Sequence, residues 1–380
     1  MKSILYVVRY PLHYTYSIMQ KVNGQIQSLK NLGYEVSFLC YDEGSIYLNR
    51  NGELIRISKT TFGPSKLYFH LFSYMDLYKS AEYVIKTFGF DVVYIRAAPL
   101  NHLALGMFKA AAEKSKIIVE IPTYLTNGVK LRQNTLRKLF TVYSDLLWRK
   151  AKRMVDLFVL IGDHADEYCG RPAINIDNGV SMDVIPVRHY TNPPDGKTHI
   201  LAVASMSAWH GYDRLIKGFN EWTSPQRNNY VIDLVGDEGD GSLKEWKTLV
   251  SNYGLTEQIR FHGRKTGDEL SYFFNIATIG ISGLGNYRIG FKTGSVLKLR
   301  EYMARGLPFV YSHDDPGIKE NEEWCMKVPN DDSPINMETI AEFIKSIKGK
   351  TYISAEMREY AARNMTWEAQ YRIVIAKLSE

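Results

Sequence analysis

Short apolar segments alternate with amphipathic segments along the whole chain. A β-branched and aromatic run at residues 4–8 predicts a buried strand, and apolar side chains at positions 18, 22, 26 and 29 predict the helix that follows it. Gly33 is expected to end this helix. The same alternation predicts further strands at residues 35–40, 92–95, 117–121 and 155–161, and helices at 73–88 and 100–113. Apolar strands separated by helices favour a parallel sheet covered on both faces.

The second half of the chain repeats this pattern after a break. Residues 186–197 contain three prolines and no periodicity, so we predict a domain boundary there. Beyond residue 330 the chain is predicted to be helical, ending with a helix at 366–378. The predicted strands of this half are 199–204, 230–235, 259–262, 278–282 and 307–311, and the helices between them are 213–222, 243–253 and 295–305. Two similar α/β halves follow from the pattern.

Composition agrees with two packed domains. The 380 residues exceed one ordinary domain, and 45% hydrophobic against 23% charged residues is typical of a globular chain. No apolar run approaches the roughly 20 residues of a membrane-spanning helix, and Met1 leads directly into a strand pattern, so we expect a cytoplasmic protein. Three widely spaced cysteines predict neither a disulfide framework nor a zinc site.

Positive charge is concentrated in the first half. Residues 1–185 hold 23 of the 47 lysines and arginines but only 16 of the 41 acidic residues, which leaves 24 against 25 in the rest. This asymmetry favours an anionic partner of the first half, such as phosphates, a membrane surface or nucleic acid.

Glycines gather where a nucleotide would bind. Ligands of open α/β sheets lie at the carboxyl ends of strands, and residues 283–294 contain four glycines between a predicted strand and a predicted helix. The amino end of a helix suits a pyrophosphate. Lys298 and Glu301, three positions apart on that helix, could bind a diphosphate and a ribose diol, or could form an ordinary surface salt bridge. Residues 9–16 contain no glycine, which argues against a dinucleotide fingerprint there.

Three segments resemble glycosyltransferase family 4, the large retaining family of nucleotide-sugar transferases. They are Asn178-Gly179-Val180, residues 211–216 (GYDRLI) and residues 301–308 (EYMARGLP). The resemblance implies a GT-B architecture, in which two Rossmann-like domains face a central cleft. It implies an acceptor-binding domain at 1–187, a nucleotide-sugar domain at 188–365, and a final helix at 366–380 that packs back on the first domain.

The sequence departs from the family pattern at two places. Thr293 stands where the family usually has the first of two glutamates, and Ser205 and His210 stand where many members have an arginine and a lysine that bind the phosphates. Lys298 is expected to take over the phosphate contact, and His210 can donate one hydrogen bond.

The loops after the strands, the helix opening and the resemblance together predict the site residues. Lys298, Glu301 and His210 are the predicted catalytic residues. Residues predicted to bind the donor are Gly211, Gly263, Arg264, Lys265, Thr293, Gly294 and Ser295. For acceptor contact the strand ends predict Arg96, Glu120 and Tyr124, although a glutamate at a strand end is equally often structural.

The predicted function is retaining transfer of a sugar from a nucleotide-diphosphate sugar to a glycan or lipid-linked glycan, in bacterial surface polysaccharide synthesis. The resemblance implies no protein nucleophile, no metal and no cofactor. Residues 131–154 mix apolar and basic side chains, so they could place the protein peripherally on the inner face of an anionic membrane, or could form an ordinary surface helix.

Two other functions stay open at this point. Because Thr293, Ser205 and His210 depart from the pattern, the protein could be a catalytically weak or inactive GT-B protein that serves as a nucleotide-sugar-binding or scaffold subunit. Nucleic-acid binding through the basic half is disfavoured, since no recognition motif is present.

Overall fold

The computed structural model describes residues 2–11, 17–60, 73–124, 135–319 and 322–379. They divide into two compact units. The first unit comprises Met1–Thr126, Leu131–Gly179 and Trp367–Glu380, and the second comprises Val180–Thr366. Among the described residues, no helix is long and apolar enough to cross a membrane.

A nine-stranded sheet forms the centre of the first unit, in the order β4-β3-β2-β1-β5-β6-β7-β9-β8. The strands from β2 to β9 in this order pair in parallel, whereas β3, β4 and β8 pair antiparallel at the two edges. The strands are β1 Ser3–Pro11, β2 Glu35–Asp42, β3 Ser45–Arg50, β4 Glu53–Lys59, β5 Val92–Arg96, β6 Lys116–Tyr124, β7 Leu157–Gly162, β8 Glu167–Tyr168 and β9 Arg171–Asn175.

The antiparallel hairpin β3–β4 is absent from the prediction, although its turn is visible in the sequence. Asn51 and Gly52 have positive φ angles of 53° and 91°, as a type I′ turn requires. An Asn-Gly pair between two short β-branched runs is the strongest local signal for such a hairpin. The α/β alternation therefore predicts the parallel centre of the sheet. The Asn51-Gly52 turn indicates the two antiparallel strands at its edge.

Helices cover the sheet of the first unit, and the last helix of the chain belongs to this unit. Trp367 and Tyr371 of that helix are buried. A side chain at Gly179 would come within 2.6 Å of the Trp367 ring, so the close approach requires glycine. The helices are α1 Ser17–Asn31, α2 Ser73–Phe88, α3 His102–Ala112, α4 Thr135–Ala151 and α11 Trp367–Ser379.

The second unit has a six-stranded, fully parallel sheet in the order β12-β11-β10-β13-β14-β15. The strands are β10 Thr198–Val203, β11 Tyr230–Val235, β12 Ile259–Phe261, β13 Ala277–Ile281, β14 Phe309–Tyr311 and β15 Cys325–Lys327. The helices are α5 Tyr212–Glu221, α6 Ser242–Asn252, α7 Gly267–Ile276, α8 Leu297–Arg305, α9 Met337–Ile347 and α10 Ile353–Asn364. The sequence pattern predicts neither helix α7, which has ten residues, nor strand β15, which has three.

A chain of charged side chains crosses three neighbouring strands of this sheet. His199 of β10 lies between two carboxylates, with Nδ1 2.5 Å from Asp233 and Nε2 3.0 Å from Asp195. His262 lies 2.7 Å from the other oxygen of Asp233. Although burial lowers the pKa of His199, its bonds to Asp233 and Asp195 outweigh burial and raise that pKa above its usual value.

The pH dependence of unfolding tests this arrangement. Only a protonated imidazole can donate to both carboxylates, so its stabilisation is complete below about pH 6.5 and is lost as pH rises through the raised folded pKa. His199→Gln should cost about 2 kcal/mol in urea unfolding at pH 6 and clearly less at pH 9. Replacing the exposed His102 by Gln serves as the control and should change little at either pH. An equal cost of His199→Gln at both pH values would contradict the interpretation.

Candidate donor site

The strand order of the second unit reverses between β10 and β13. In open parallel sheets this reversal creates a crevice at the carboxyl ends of the two strands, where ligands bind. The loops that leave this point are residues 204–211 after β10 and residues 282–296 after β13. The second loop leads into α8, whose first amides have no helical acceptor.

Contacts between two short segments hold these loops together. The Leu284 amide donates to the His210 carbonyl at 2.8 Å. Gly211 adopts a left-handed conformation with φ +66°, and a side chain there would overlap the backbone nitrogen of Gly285. Both the conformation and the contact therefore require glycine, which explains why Gly211 lies at this position.

Three side chains, from the first loop and from the first turns of the helices that follow the two loops, meet near the reversal point. Lys298, in the first turn of α8, donates from Nζ to the Tyr212 hydroxyl at 2.9 Å, and its Nζ lies 5.4 Å from the centre of the Tyr212 ring. The His210 ring stacks on Tyr212, with 5.7 Å between the ring centres and 19° between the planes, and the Trp209 ring lies 3.7 Å from His210. Two of the three predicted catalytic residues are therefore neighbours.

Burial shapes the charges of this cluster. Desolvation lowers the pKa of Lys298 to about 7. Desolvation also holds the pKa of His210 well below its ordinary value, and the nearby Lys298 lowers it further. His210 is therefore neutral at pH 7. Its Nδ1 accepts from the Ser207 amide at 3.3 Å, which assigns the proton to Nε2 and leaves that atom as a donor.

Glu301 lies one turn along α8 and does not pair with Lys298. One of its carboxylate oxygens accepts from Arg305 Nε at 2.8 Å, and the side chain is 30% exposed. The second oxygen has no hydrogen-bond partner among the described residues. A salt bridge between Lys298 and Glu301, the ordinary alternative for two such residues, is absent from the described part of the chain.

The other predicted donor residues lie along the same edge of the sheet. The Gly294 amide donates to the Asp314 carbonyl at 2.9 Å, and Thr293 forms an isolated β-bridge with Asp314. Ser295 is buried just before α8. These three residues shape the loop before the helix rather than presenting a charge.

Gly263, Arg264 and Lys265 follow β12, two strands away from the reversal point. The Arg264 amide donates to Asp237 at 3.0 Å, and Lys265 pairs with Glu269 at 2.9 Å. These three residues lie at the same edge of the sheet, two strands from the cluster around Lys298.

Two arginines that the sequence analysis did not single out fix the loops. Arg288 forms a bidentate pair with Asp213 at 2.8 and 2.9 Å and also donates to the Ala208 carbonyl at 2.7 Å. Arg214 is fully buried and donates to the carbonyls of Leu284, Pro329 and Ser333. The sequence gives only a weak signal for these contacts, because the partners of Asp213 and Arg214 lie far away in the chain.

In the first unit, Glu120 is fully enclosed by protein donors. Arg96 donates to one oxygen at 2.7 Å, while Gln25 and Tyr94 donate to the other at 2.8 and 2.9 Å. Lys21 Nζ lies 3.9 Å away. These contacts favour the structural role for Glu120. Arg96 and Tyr124 are half-buried, so among the predicted acceptor residues they retain exposed surface.

The basic segment at residues 131–154 is described in part. Residues 131–134 and the side chains of residues 135–140 lie outside the described part. In the remainder of α4 and the short 3₁₀ helix after it, Val142, Tyr143 and Leu146 are exposed apolar side chains. Arg149 and Lys150 are exposed basic side chains beside them.

Comparisons with known proteins agree with this geometry. Residues 187–361 match the family model of glycosyl transferases group 1. A glycosyltransferase from Rickettsia africae superposes with a TM-score of 0.63 at 16% identity, covering 99% of this chain and 97% of that chain. Residues 187–361 therefore form a glycosyl transferases group 1 domain, and the chain has the GT-B fold. The predicted fold class is thereby confirmed.

Other structures share the fold of this glycosyltransferase. HepE from Anabaena in complex with UDP has a TM-score of 0.63 at 13% identity, with 100% of both chains covered. The catalytic domain of starch synthase IV from Arabidopsis thaliana, bound to ADP and acarbose, has a TM-score of 0.65 at 8% identity, with 99% of both chains covered. The comparison with curated proteins gives no match.

Two glycines of this glycosyltransferase offer a matched test of the loop contact. Gly211 and Gly263 have φ angles of +66° and +65°, but only a side chain at Gly211 would meet other atoms. Gly263→Ala should cost about 1 kcal/mol, because only the left-handed conformation is penalised. Gly211→Ala should cost a further 1–3 kcal/mol, roughly, through overlap with Gly285. Urea midpoints measure both, and equal costs would contradict the proposed loop contact.

Proposed function

We propose that the protein transfers a sugar from a nucleotide-diphosphate sugar to a glycan or lipid-linked glycan, with retention of the anomeric configuration. We further propose that the transfer uses neither a metal nor a protein nucleophile, and that it serves surface polysaccharide synthesis. One observation carries the proposal. The ammonium group of Lys298, in the first turn of α8, donates to Tyr212, on whose ring His210 stacks, and no carboxylate pairs with Lys298 among the described residues.

The chemistry of the leaving group explains why such a site would catalyse transfer. A departing nucleoside diphosphate gains negative charge as the glycosidic bond breaks. Lys298, the Nε2 proton of His210 and the free amides of α8 all offer positive potential at fixed positions, so they stabilise this charge without reorganisation. The unpaired oxygen of Glu301 can accept a hydrogen bond from a ribose hydroxyl.

The known ligands of related structures support a nucleotide donor. HepE binds UDP and starch synthase IV binds ADP, and both are nucleoside diphosphates of the kind that such a site would release. We assign the donor to residues 188–365 and the acceptor to residues 1–187, with residues 366–380 as the closing helix. Arg96 and Tyr124 are the acceptor contacts we propose. Their removal should raise the acceptor KM and leave donor hydrolysis unchanged.

Release of UDP from UDP-glucose in the presence of EDTA tests the catalytic assignment. Lys298→Met should lower the rate about 100- to 1000-fold, because one charge-stabilising donor is lost. Lys345→Met is the matched control, since Lys345 is an exposed lysine in the last turn of α9 and is not among the predicted site residues. The anomeric configuration of the product, read by NMR, checks retention.

Three outcomes would contradict the proposal. Full activity of Lys298→Met would remove this residue from the site. Loss of all activity in EDTA, restored by a divalent metal, would contradict the metal-free mechanism. Tight binding of UDP-glucose without any turnover would favour the inactive binding or scaffold protein instead.

We also propose that α4 holds the protein on an anionic membrane, where lipid-linked acceptors are found. Val142, Tyr143 and Leu146 are 58%, 41% and 51% exposed, which is unusual for large apolar side chains grouped on one helix. The adjacent Arg149 and Lys150 can meet lipid phosphates. Contact with a neutral membrane would involve only the apolar side chains and would not depend on the two basic residues.

Vesicle sedimentation tests the membrane proposal. The protein should bind vesicles that contain phosphatidylglycerol and should be released by high salt. Replacing Arg149 and Lys150 by Gln should weaken binding about thirtyfold, at about 1 kcal/mol for each charge. Val184→Ser, which changes an exposed apolar residue of the second unit, is the control. Equal binding to neutral phosphatidylcholine vesicles, or no effect of the substitutions, would mean that α4 is an ordinary surface helix.

A further inference from the structure

Lys298 differs in its hydrogen-bond partner from two buried or half-buried arginines of the second unit, Arg300 and Arg288. Arg300 forms a buried bidentate pair with Asp315 at 2.7 and 2.8 Å, and Arg288 forms one with Asp213. Lys298 has a hydroxyl group as its hydrogen-bond partner and no carboxylate within ion-pair distance in the described part of the chain. A cation in this position lacks the counterion that its neighbours have.

The groups that face Lys298 cannot supply that counterion. Tyr212 of α5 is fully buried, and burial holds the pKa of its hydroxyl well above its usual range. His210, from the loop before α5, is neutral at pH 7 because burial holds its pKa well below its usual value. Tyr302 of α8 also interacts with Tyr212, and burial raises the pKa of its hydroxyl. Each of these groups is uncharged near neutral pH.

Two consequences follow for the free and bound protein. Without a counterion, desolvation lowers the pKa of Lys298 to about 7, so the neutral amine is well populated at pH 7.5. A dianionic or trianionic ligand beside Nζ favours the charged form and raises the pKa again. Any ligand that prefers the protonated form must draw a proton from solution as it binds.

We propose that the diphosphate of the donor binds together with one proton, which Lys298 takes up from solvent, and that Tyr212 is a positioning residue that orients the resulting ammonium group. This inference rests on the proposed function. The proton adds to the Nζ lone pair as the diphosphate binds, and it returns to solvent when the nucleoside diphosphate leaves. The site thus holds its full positive charge only while the anion is present.

Calorimetric titration of the full chain with UDP tests the inference. Measured in two buffers of different ionisation enthalpy, the heat gives the number of protons taken up. We expect close to one proton at pH 8, where the terminal phosphate of UDP is already ionised, and close to none at pH 6. The affinity should fall about tenfold between pH 7.5 and pH 8.5.

Substitutions assign the proton to one residue. Lys298→Arg keeps a permanent positive charge, so UDP should bind without proton uptake and with an affinity that no longer falls above pH 7. His210→Asn should retain the uptake. Tyr212→Phe should weaken UDP binding about three- to tenfold and move the midpoint of proton uptake to lower pH, since the hydroxyl no longer accepts from the ammonium. A purely structural role of Tyr212 would leave that midpoint unchanged.

The possible failures can be told apart. Binding of UDP with buffer-independent heats and no pH dependence would overturn the inference and leave the proposed function standing. Uptake that persists in Lys298→Arg and disappears in His210→Asn would assign the proton to His210 instead. An absence of UDP binding at every pH would overturn both the inference and the proposed function.

Discussion

The contact between the loops after β10 and β13 determines where His210 and Lys298 lie in the donor site. His210 and Gly211 are held against Leu284 and Gly285 by a backbone hydrogen bond and by a contact too close for any side chain. Because α8 begins directly after the second loop, this contact also sets where Lys298 lies relative to His210. The electrostatics of the site are therefore a consequence of backbone packing.

The charged groups Glu120 of the first unit and Lys298 of the second unit differ in their hydrogen-bond partners. In the first unit, Glu120 has an arginine, an amide and a tyrosine hydroxyl as donors, and Tyr371 of the last helix lies 3.4 Å from that tyrosine, Tyr94. Its charge is satisfied within the protein and contributes to the packing of α11. In the second unit, the Tyr212 hydroxyl is the one hydrogen-bond partner of the Lys298 ammonium among the described residues. An ionic group that the protein leaves unpaired at a ligand-binding edge is the stronger indication of function.

Much of the fold could be predicted from the sequence because the α/β alternation is a local property. The predicted helix at residues 73–88 and the predicted strand at residues 230–235 agree with the structure at both ends. The pattern predicts neither β8, which has only two residues, nor β15, whose three residues are not a buried apolar run like those of β14. The α/β alternation does not predict hairpin β3–β4, because the sequence signal for this hairpin is the Asn51-Gly52 turn and not an alternation of strands and helices.

The sequence predicts those features of the site that lie within one continuous segment of the chain. Spacing places Lys298 and Glu301 on α8, and the glycines before them indicate the loop. That Tyr212 accepts from Lys298, that Arg305 occupies one oxygen of Glu301, and that Glu120 is enclosed depend on which elements become neighbours. These contacts join residues far apart in the chain, or depend on side-chain rotamers, and neither is visible in a local pattern.

Hydrogen exchange with and without UDP tests the central claim most directly, because it reports where the nucleotide binds without relying on turnover. The account predicts slower amide exchange in residues 205–212 and 294–300 when UDP is added, with residues 141–151 of α4 unchanged. Protection confined to the first unit, or binding of UDP with no protection at either of those two segments, would contradict it.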